Sequence, residues 1–225
     1  MDGDIGRRAQ IHAALGDPVR LAIVDHLSLG DASPGELART FGVPTNLLAH
    51  HLRVTEVSGL VRRVRSEGDR RRTYAQLCLD DPLVRSLTGP VAGLQATRVV
   101  FVCTHNSARS QLAAAEWTSV HDVPAISAGT RPASRVHPRA VSVGRRHGLR
   151  LGNAKTSRAA DVLRPDDLVV AVCDNAYEEL DDAALHWAVP DPVRVGTDAA
   201  FEHAYREISD RIARLARATT PGKAA

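Results

Sequence analysis

Along the first 80 residues apolar positions recur in short blocks at helical spacing. Asp17-Pro18 starts a helix with proline in its first turn, and Val19, Ala22, Ile23 and Leu27 then fall on one stripe. Ser33-Pro34-Gly35-Glu36 supplies an N-cap serine, a first-turn proline and a glutamate three residues on, the reciprocal pairing of a capping box. Gly42 ends that helix after Phe41, and Pro44 opens another, about Pro44 to Val57. Leu48 and Leu52 point inward there, with Thr45, Asn46, Ala49, His50 and Arg53 on the other side. Gly59 closes it. Leu60 to Arg65 and Thr73 to Leu79 then read as two strands joined by SEGDRRR, a hairpin.

From residue 97 the pattern changes to alternating strands and helices, the mark of a parallel sheet. Val99 to Val102 is the apolar run of a buried strand, Gln111 to Trp117 a helix, and DLVVAV (Asp167 to Val172) another strand. Phe201, Tyr205, Ile208, Ile212 and Leu215 mark a final amphipathic helix. A chain of 225 residues with one such change predicts two domains, an α+β helix-turn-helix module over residues 1–90 and an α/β domain with a central parallel sheet over 97–225. The join is expected near Leu83 to Ala96, where Gly89, Pro90 and Gly93 interrupt helix, and Thr219 to Ala225 is expected to fray.

With 44% hydrophobic and 24% charged residues the chain is an ordinary globular protein. It has no apolar run of the roughly 18 residues a membrane helix needs, and MDGDIGRRAQ lacks a signal peptide's apolar segment. The expectation is a cytoplasmic protein without membrane contact. Cys78, Cys103 and Cys173 are too few and too scattered for a disulfide framework. A net charge of +3 does not announce a nucleic-acid binder, but Arg53 to Arg72 holds seven arginines against Glu56, Glu67 and Asp69. Short polar residues on the Pro44–Val57 helix suit base edges of double-stranded DNA, and Arg70, Arg71 and Arg72 on the hairpin suit its phosphates.

The stretch from Ala14 to Arg63, notably LGDPVRLAIV, LLAHHL and SGLVRR, resembles the winged helix-turn-helix of the ArsR/SmtB repressors, over roughly residues 10–80. The resemblance implies a homodimer on a pseudo-palindromic operator. Metal- and arsenite-sensing members hold paired cysteine or His/Asp ligands. This module offers Cys78 alone, and His12, His26, His50 and His51 show no ligand spacing, so no metal site and no effector are assigned.

In the second domain Cys103 ends a strand and is followed by Thr104, His105, Asn106, Ser107 and Ala108, then by Arg109 and Ser110 entering a helix. Such a loop curls its backbone N–H groups toward one point, and the helix N-terminus adds its positive end, so a tetrahedral oxyanion fits. The same field favours a thiolate at Cys103. Arg109 grips two oxygens through its planar fork, Ser110 donates to the sulfur, and Asn106 tolerates a left-handed backbone. A lone strand-end cysteine is usually a buried small hydrophobe, but the strand, loop and helix around this one read as a nucleophile's setting. A proton donor is also needed, and Asp191 of Asp191-Pro192, after the last strand, lies where a parallel sheet brings it over the loop.

Together VCTHNSARSQLA, ISAGT (Ile126 to Thr130), DLVVAVCDNAYEE and WAVPDPVRVGT resemble the low-molecular-weight protein tyrosine phosphatase superfamily, most closely its arsenate reductase branch, over about residues 97–217. The resemblance implies that Cys103 is the nucleophile, Arg109 the oxyanion ligand, Ser110 the thiolate's support and Asp191 the general acid. Val193 and Arg194 stand where tyrosine-specific members carry aromatic residues, and Cys173 stands where thioredoxin-linked reductases keep a resolving cysteine, although a buried strand residue is the plain alternative. Leu180 replaces their second resolving cysteine, and His105 replaces the usual glycine, narrowing the bowl or merely meeting solvent. No bound cofactor is implied, only an external thiol. Either Cys103 and Cys173 form a disulfide that thioredoxin or another reductant opens, or a small thiol with a glutaredoxin-like partner discharges Cys103 directly. The expectation is an ArsR-type regulator fused to an arsenate reductase; the alternatives are a non-turnover arsenate or phosphate sensor and a protein tyrosine phosphatase.

Overall fold

The computed structural model describes residues 2–88, 93–181 and 183–222. The chain folds into two compact units, Met1–Ser66 with Arg70–Val91, and Glu67–Asp69 with Ala92–Ala225.

The first unit runs α1 (Asp2–Leu15), α2 (Pro18–Leu27), α3 (Pro34–Phe41), α4 (Thr45–Val57), an antiparallel hairpin of β1 (Val61–Arg65) and β2 (Thr73–Leu77), and α5 (Pro82–Leu87). Its helix ends follow local chemistry. The Asp17 carboxylate accepts from the Arg20 N–H at 3.0 Å. Both halves of the Ser33/Glu36 capping box form, at 3.3 and 2.6 Å. Gly42 ends α3 in the left-handed region at φ 61°. Each such cap contributes about 1 kcal/mol. Leu60 donates to the Thr55 carbonyl at 3.0 Å, closing the end of α4, and its own carbonyl accepts from the Cys78 N–H at 2.9 Å just before β1 begins.

Three expectations change here. α1 lies outside the elements that the sequence pattern predicts, yet it buries Ile11 and Ala14. Because α1, α4 and β2 all pack on α2, its buried residues are Ile23, Val24 and Leu27, with Val19 and Ala22 half-buried. The expected join is largely structured. α5 is N-capped by Asp81 and buries Val84 among the first unit's apolar residues, while Gly89 and Pro90 lie outside the described residues.

The second unit contains β3 (Leu94–Ala96), β4 (Val99–Cys103), α6 (Arg109–Val120), β5 (Ala125–Gly129), α7 (Pro138–Arg146), α8 (Ala159–Val162), β6 (Leu168–Ala171), α9 (Asp174–Glu179), β7 (Leu185–His186), α10 (Pro192–Val195), α11 (Asp198–Ala218) and β8 (Thr219–Pro221). Four strands form a parallel sheet in the order β5-β4-β6-β7. All of β4 is buried. Phe101 at its middle lies between Trp117 and Trp187, with ring centroids 6.1 and 5.8 Å away, and truncating any of the three would cost about 3–5 kcal/mol. The apolar stripe of α11 is buried from Phe201 to Leu215 as expected. The tail differs from expectation. Thr219–Pro221 pairs in parallel with Leu94–Ala96, and Gly222 donates to the Ala96 carbonyl at 2.8 Å. Residues 223–225 of that tail lie outside the described residues.

The architecture is thus a helix-turn-helix with a β-hairpin, then an α/β domain with a central parallel sheet. With β5 on one side of β4 and β6 on the other, the chain leaving β4 turns at the switch point of the sheet, the place where open α/β folds bind ligands. No helix among the described residues is long and apolar enough to cross a membrane.

Candidate oxyanion-binding site

The loop between β4 and α6 is held from outside by its carbonyls. Those of Cys103, Thr104, His105 and Ser107 accept from the main-chain N–H groups of Thr130, Arg131, Ala133 and His137, at 3.1, 2.8, 2.9 and 2.8 Å. The Asn106 carbonyl accepts from Gln111 Nε2 at 3.1 Å. In a planar trans peptide the N–H points opposite the carbonyl, so five outward carbonyls turn the next five N–H groups inward. Among the described residues no protein group accepts from the N–H of Thr104, His105, Ser107 or Ala108. The first turn of α6 adds its own unpaired donors at the same point.

Asn106 sits at φ 48°, the one positive-φ residue besides glycine among the described residues, as its residue type suggests. Its N–H lies 3.2 Å from Cys103 Sγ. Its side chain accepts from the Ser157 N–H at 2.8 Å and donates to Ser110 Oγ at 2.8 Å. Ser110 Oγ therefore accepts from Asn106 and keeps its own proton for Cys103 Sγ, 3.1 Å away. Gly129 at the end of β5 makes this packing possible, since a Cβ there would lie 2.8 Å from the Thr104 carbonyl and 2.9 Å from Asn106 N.

Arg109 is buried, donates from Nη1 to the Val189 carbonyl at 2.8 Å and brings Nη2 within 3.5 Å of Asp191. Burial works against its charge, but Cys173, Cys103 and Asp191 outweigh this and hold Arg109 above the ordinary arginine range. Asp191 caps α10 through the Val193 N–H at 3.2 Å. Cys173, at the start of α9, is 1% exposed, and its Sγ lies 3.5 Å from Thr104 Oγ1. Burial pushes the Cys173 thiol up, with Arg109 pulling the other way. Both cysteines are unbridged. Leu180 ends α9 and packs on the domain core.

The structure thus gathers Cys103, the loop Thr104–Ala108, Arg109, Ser110, Cys173 and Asp191 around one point. His105 is exposed while its neighbours are buried, which places it on the rim. Sequence reasoning missed the parts played by Gln111, Gly129 and Ser157; Gly129 and Ser157 meet Thr104 and Asn106 from far along the chain, and Gln111 joins nearby Asn106 to distant Lys155. Gly129 within ISAGT was the visible signal. Among the described residues no group of three or more His, Cys, Asp or Glu is placed to hold a metal.

In the first unit Thr45, Asn46, Ala49, His50 and Arg53 are exposed on α4, opposite buried Leu48 and Leu52. Arg70, Arg71 and Arg72 are exposed on the hairpin. The positive charge is less than the sequence count implies, since Arg62 pairs with Asp80 at 3.1 Å and Arg63 with Glu56. Cys78 is half-buried and burial pushes its thiol up.

Residues 98–223 match the family described as low molecular weight phosphotyrosine protein phosphatase, and residues 15–64 match a helix-turn-helix domain. No curated protein matches the chain. Among solved structures, an arsenate reductase from Archaeoglobus fulgidus is 28% identical, aligning over 52% of this chain and 98% of its own, with a TM-score of 0.46. The YwlE arginine phosphatase from Geobacillus stearothermophilus is 23% identical over 53% of this chain and 90% of its own, with a TM-score of 0.48. The tyrosine phosphatase Wzb from Escherichia coli K30, in complex with sulphate, is 21% identical over 54% and 97%, with a TM-score of 0.47.

Proposed function

Because the chain belongs to the low molecular weight phosphotyrosine protein phosphatase family, we propose that its second domain is an enzyme working through a covalent Cys103 intermediate, and that the substrate is arsenate. The observation that carries arsenate is Cys173, whose sulfur touches the Thr104 hydroxyl in the wall of the loop. Hydrolysis of a phosphate ester needs one thiol, whereas reduction needs two electrons and hence two.

Cys103 Sγ displaces hydroxide from arsenate and forms an S–As bond. The loop N–H groups and Arg109 hold the other oxygens, and Asp191 gives a proton to the leaving hydroxide. Cys173 then attacks Cys103 Sγ, so that an S–S bond forms, the S–As bond breaks, and its electron pair leaves with arsenic as arsenite. The two electrons gained by arsenic are lost by the two thiols. An external thiol then reduces the disulfide and restores both cysteines. With Cys103 and Cys173 exposed by only 2% and 1%, a small thiol coupled to a glutaredoxin-like partner fits better than thioredoxin.

The first domain is an ArsR-type regulator in this reading, a homodimer whose α4 reads operator bases while Arg70, Arg71 and Arg72 hold phosphates. The exposed polar face of α4 and the exposed hairpin arginines support it. A second reading, phosphate-ester hydrolysis, is favoured by Asp191 beside Arg109, which suits protonation of an alkoxide. The test is purified full-length protein with arsenate and a panel of thiols, scored for arsenite, beside an aryl phosphate assay. Multiple turnovers to arsenite support the proposal. Aryl phosphate turnover without arsenite moves the function to a phosphatase, and anion binding without either leaves a sensor.

A further inference from the structure

We infer that Gln111 is a positioning residue for the Cys103 nucleophile, acting by holding the Asn106–Ser107 peptide with its N–H toward the bound anion. The inference rests on the anion site proposed above.

Of the five outward carbonyls in the loop, four are held by main-chain N–H groups, and the fifth, that of Asn106, is held by the side chain of Gln111. Gln111 is 4% exposed, and its Nε2 donates to the Asn106 carbonyl at 3.1 Å and to the Lys155 carbonyl at 2.9 Å. Both partners only accept, so the nitrogen end of the amide must face them and both its protons are used. Asn106 also has the left-handed backbone at φ 48°, the conformation in this loop with the most to gain by relaxing. The Ser157 and Ser110 contacts are made by the Asn106 side chain, so the hold on the Asn106 carbonyl itself is that of Gln111.

A turned Asn106–Ser107 peptide would replace an inward N–H by a carbonyl oxygen. A donor to the anion becomes a repelling dipole in the same loop as the nucleophile. The identity of the residue matters in the same way. Methionine keeps the length of glutamine and loses both donors, and glutamate sets a carboxylate against two carbonyls until it is protonated.

The experiment uses full-length protein and reads the iodoacetamide alkylation rate of Cys103 against inorganic phosphate, together with kcat and KM for whichever substrate turns over. In Gln111→Met and Gln111→Glu the phosphate concentration giving half-protection is expected to rise about tenfold, with KM rising too. For Gln111→Glu the gap from wild type should narrow at acid pH, where the protonated side chain regains one donor. A purely structural role would lower the amount of folded protein, reducing apparent kcat while KM and phosphate protection stay at wild-type values; that result overturns the inference. If Gln111→Met does not fold, the acid rescue of Gln111→Glu decides alone, and its absence overturns the inference. Wild-type protein that phosphate does not protect would instead overturn the reading of the anion site itself.

Discussion

Arg109 donates to the carbonyl of Val189 at 2.8 Å, joining the first turn of α6 to the segment that carries Asp191. One buried guanidinium thus ties the loop to the segment of Asp191, the proposed proton donor, which a lysine cannot do with a single point of charge. Arg109→Lys is expected to keep the fold and lower kcat/KM by about 100- to 1000-fold, in line with loss of a preorganised donor. Steady-state kinetics beside a thermal melt check it.

Cys173→Ser removes the thiol that lies against Thr104 of the loop. With thioredoxin as sole reductant it should abolish arsenite release while leaving aryl phosphate hydrolysis nearly unchanged. With a small thiol and a glutaredoxin-like partner, release should persist in part, because that thiol can attack arsenylated Cys103 directly. Full activity with thioredoxin would remove Cys173 from the reaction.

Replacing Arg70, Arg71 and Arg72 by alanine is expected to weaken binding to every duplex by a similar factor. The slope of log K against log salt should flatten by about 1 for each phosphate that is no longer neutralised. An unchanged slope in a fluorescence-anisotropy titration would take these arginines off the DNA.

Asp167 gives a pH signature of stability in the second domain. Burial alone would raise its carboxyl, but the paired hydrogen bonds from Arg98, both 2.7 Å, and the Arg164 N–H outweigh this and hold it below its ordinary 3.8. A depressed folded value means stability that is present above 3.8 and is lost as pH falls further through the folded value. Asp167→Asn should therefore unfold at lower urea than wild type near neutral pH, with the gap closing as the pH falls below 3.8 and through the lowered folded value.

What could be read in the sequence was what depends on near neighbours. The Ser33/Glu36 box, the stop at Gly42 and the left-handed Asn106 each follow from one residue and those within three or four of it. The strand, loop and helix around Cys103 were visible because they are contiguous from Val99 to Val120. The hold of Gln111 on Lys155, the approach of Gly129 to Thr104 and the Arg109–Val189 bond join residues dozens of positions apart, and no local pattern reports them. α1 was missed because its packing side consists of little more than Ile11 and Ala14, and β3 and β8 because three-residue strands carry no period.

The pairing of Leu94–Ala96 with Thr219–Pro221 also means that the second domain's chain enters and leaves side by side. Such a domain is a cassette. Anything joined ahead of Leu94 or behind Gly222 attaches at one place, outside the four-stranded sheet, so a foreign module can be added without rethreading that sheet. The same adjacency makes the domain suited to circular permutation, with the old ends bridged by a short linker and new ones opened at an exposed turn such as Gly152-Asn153.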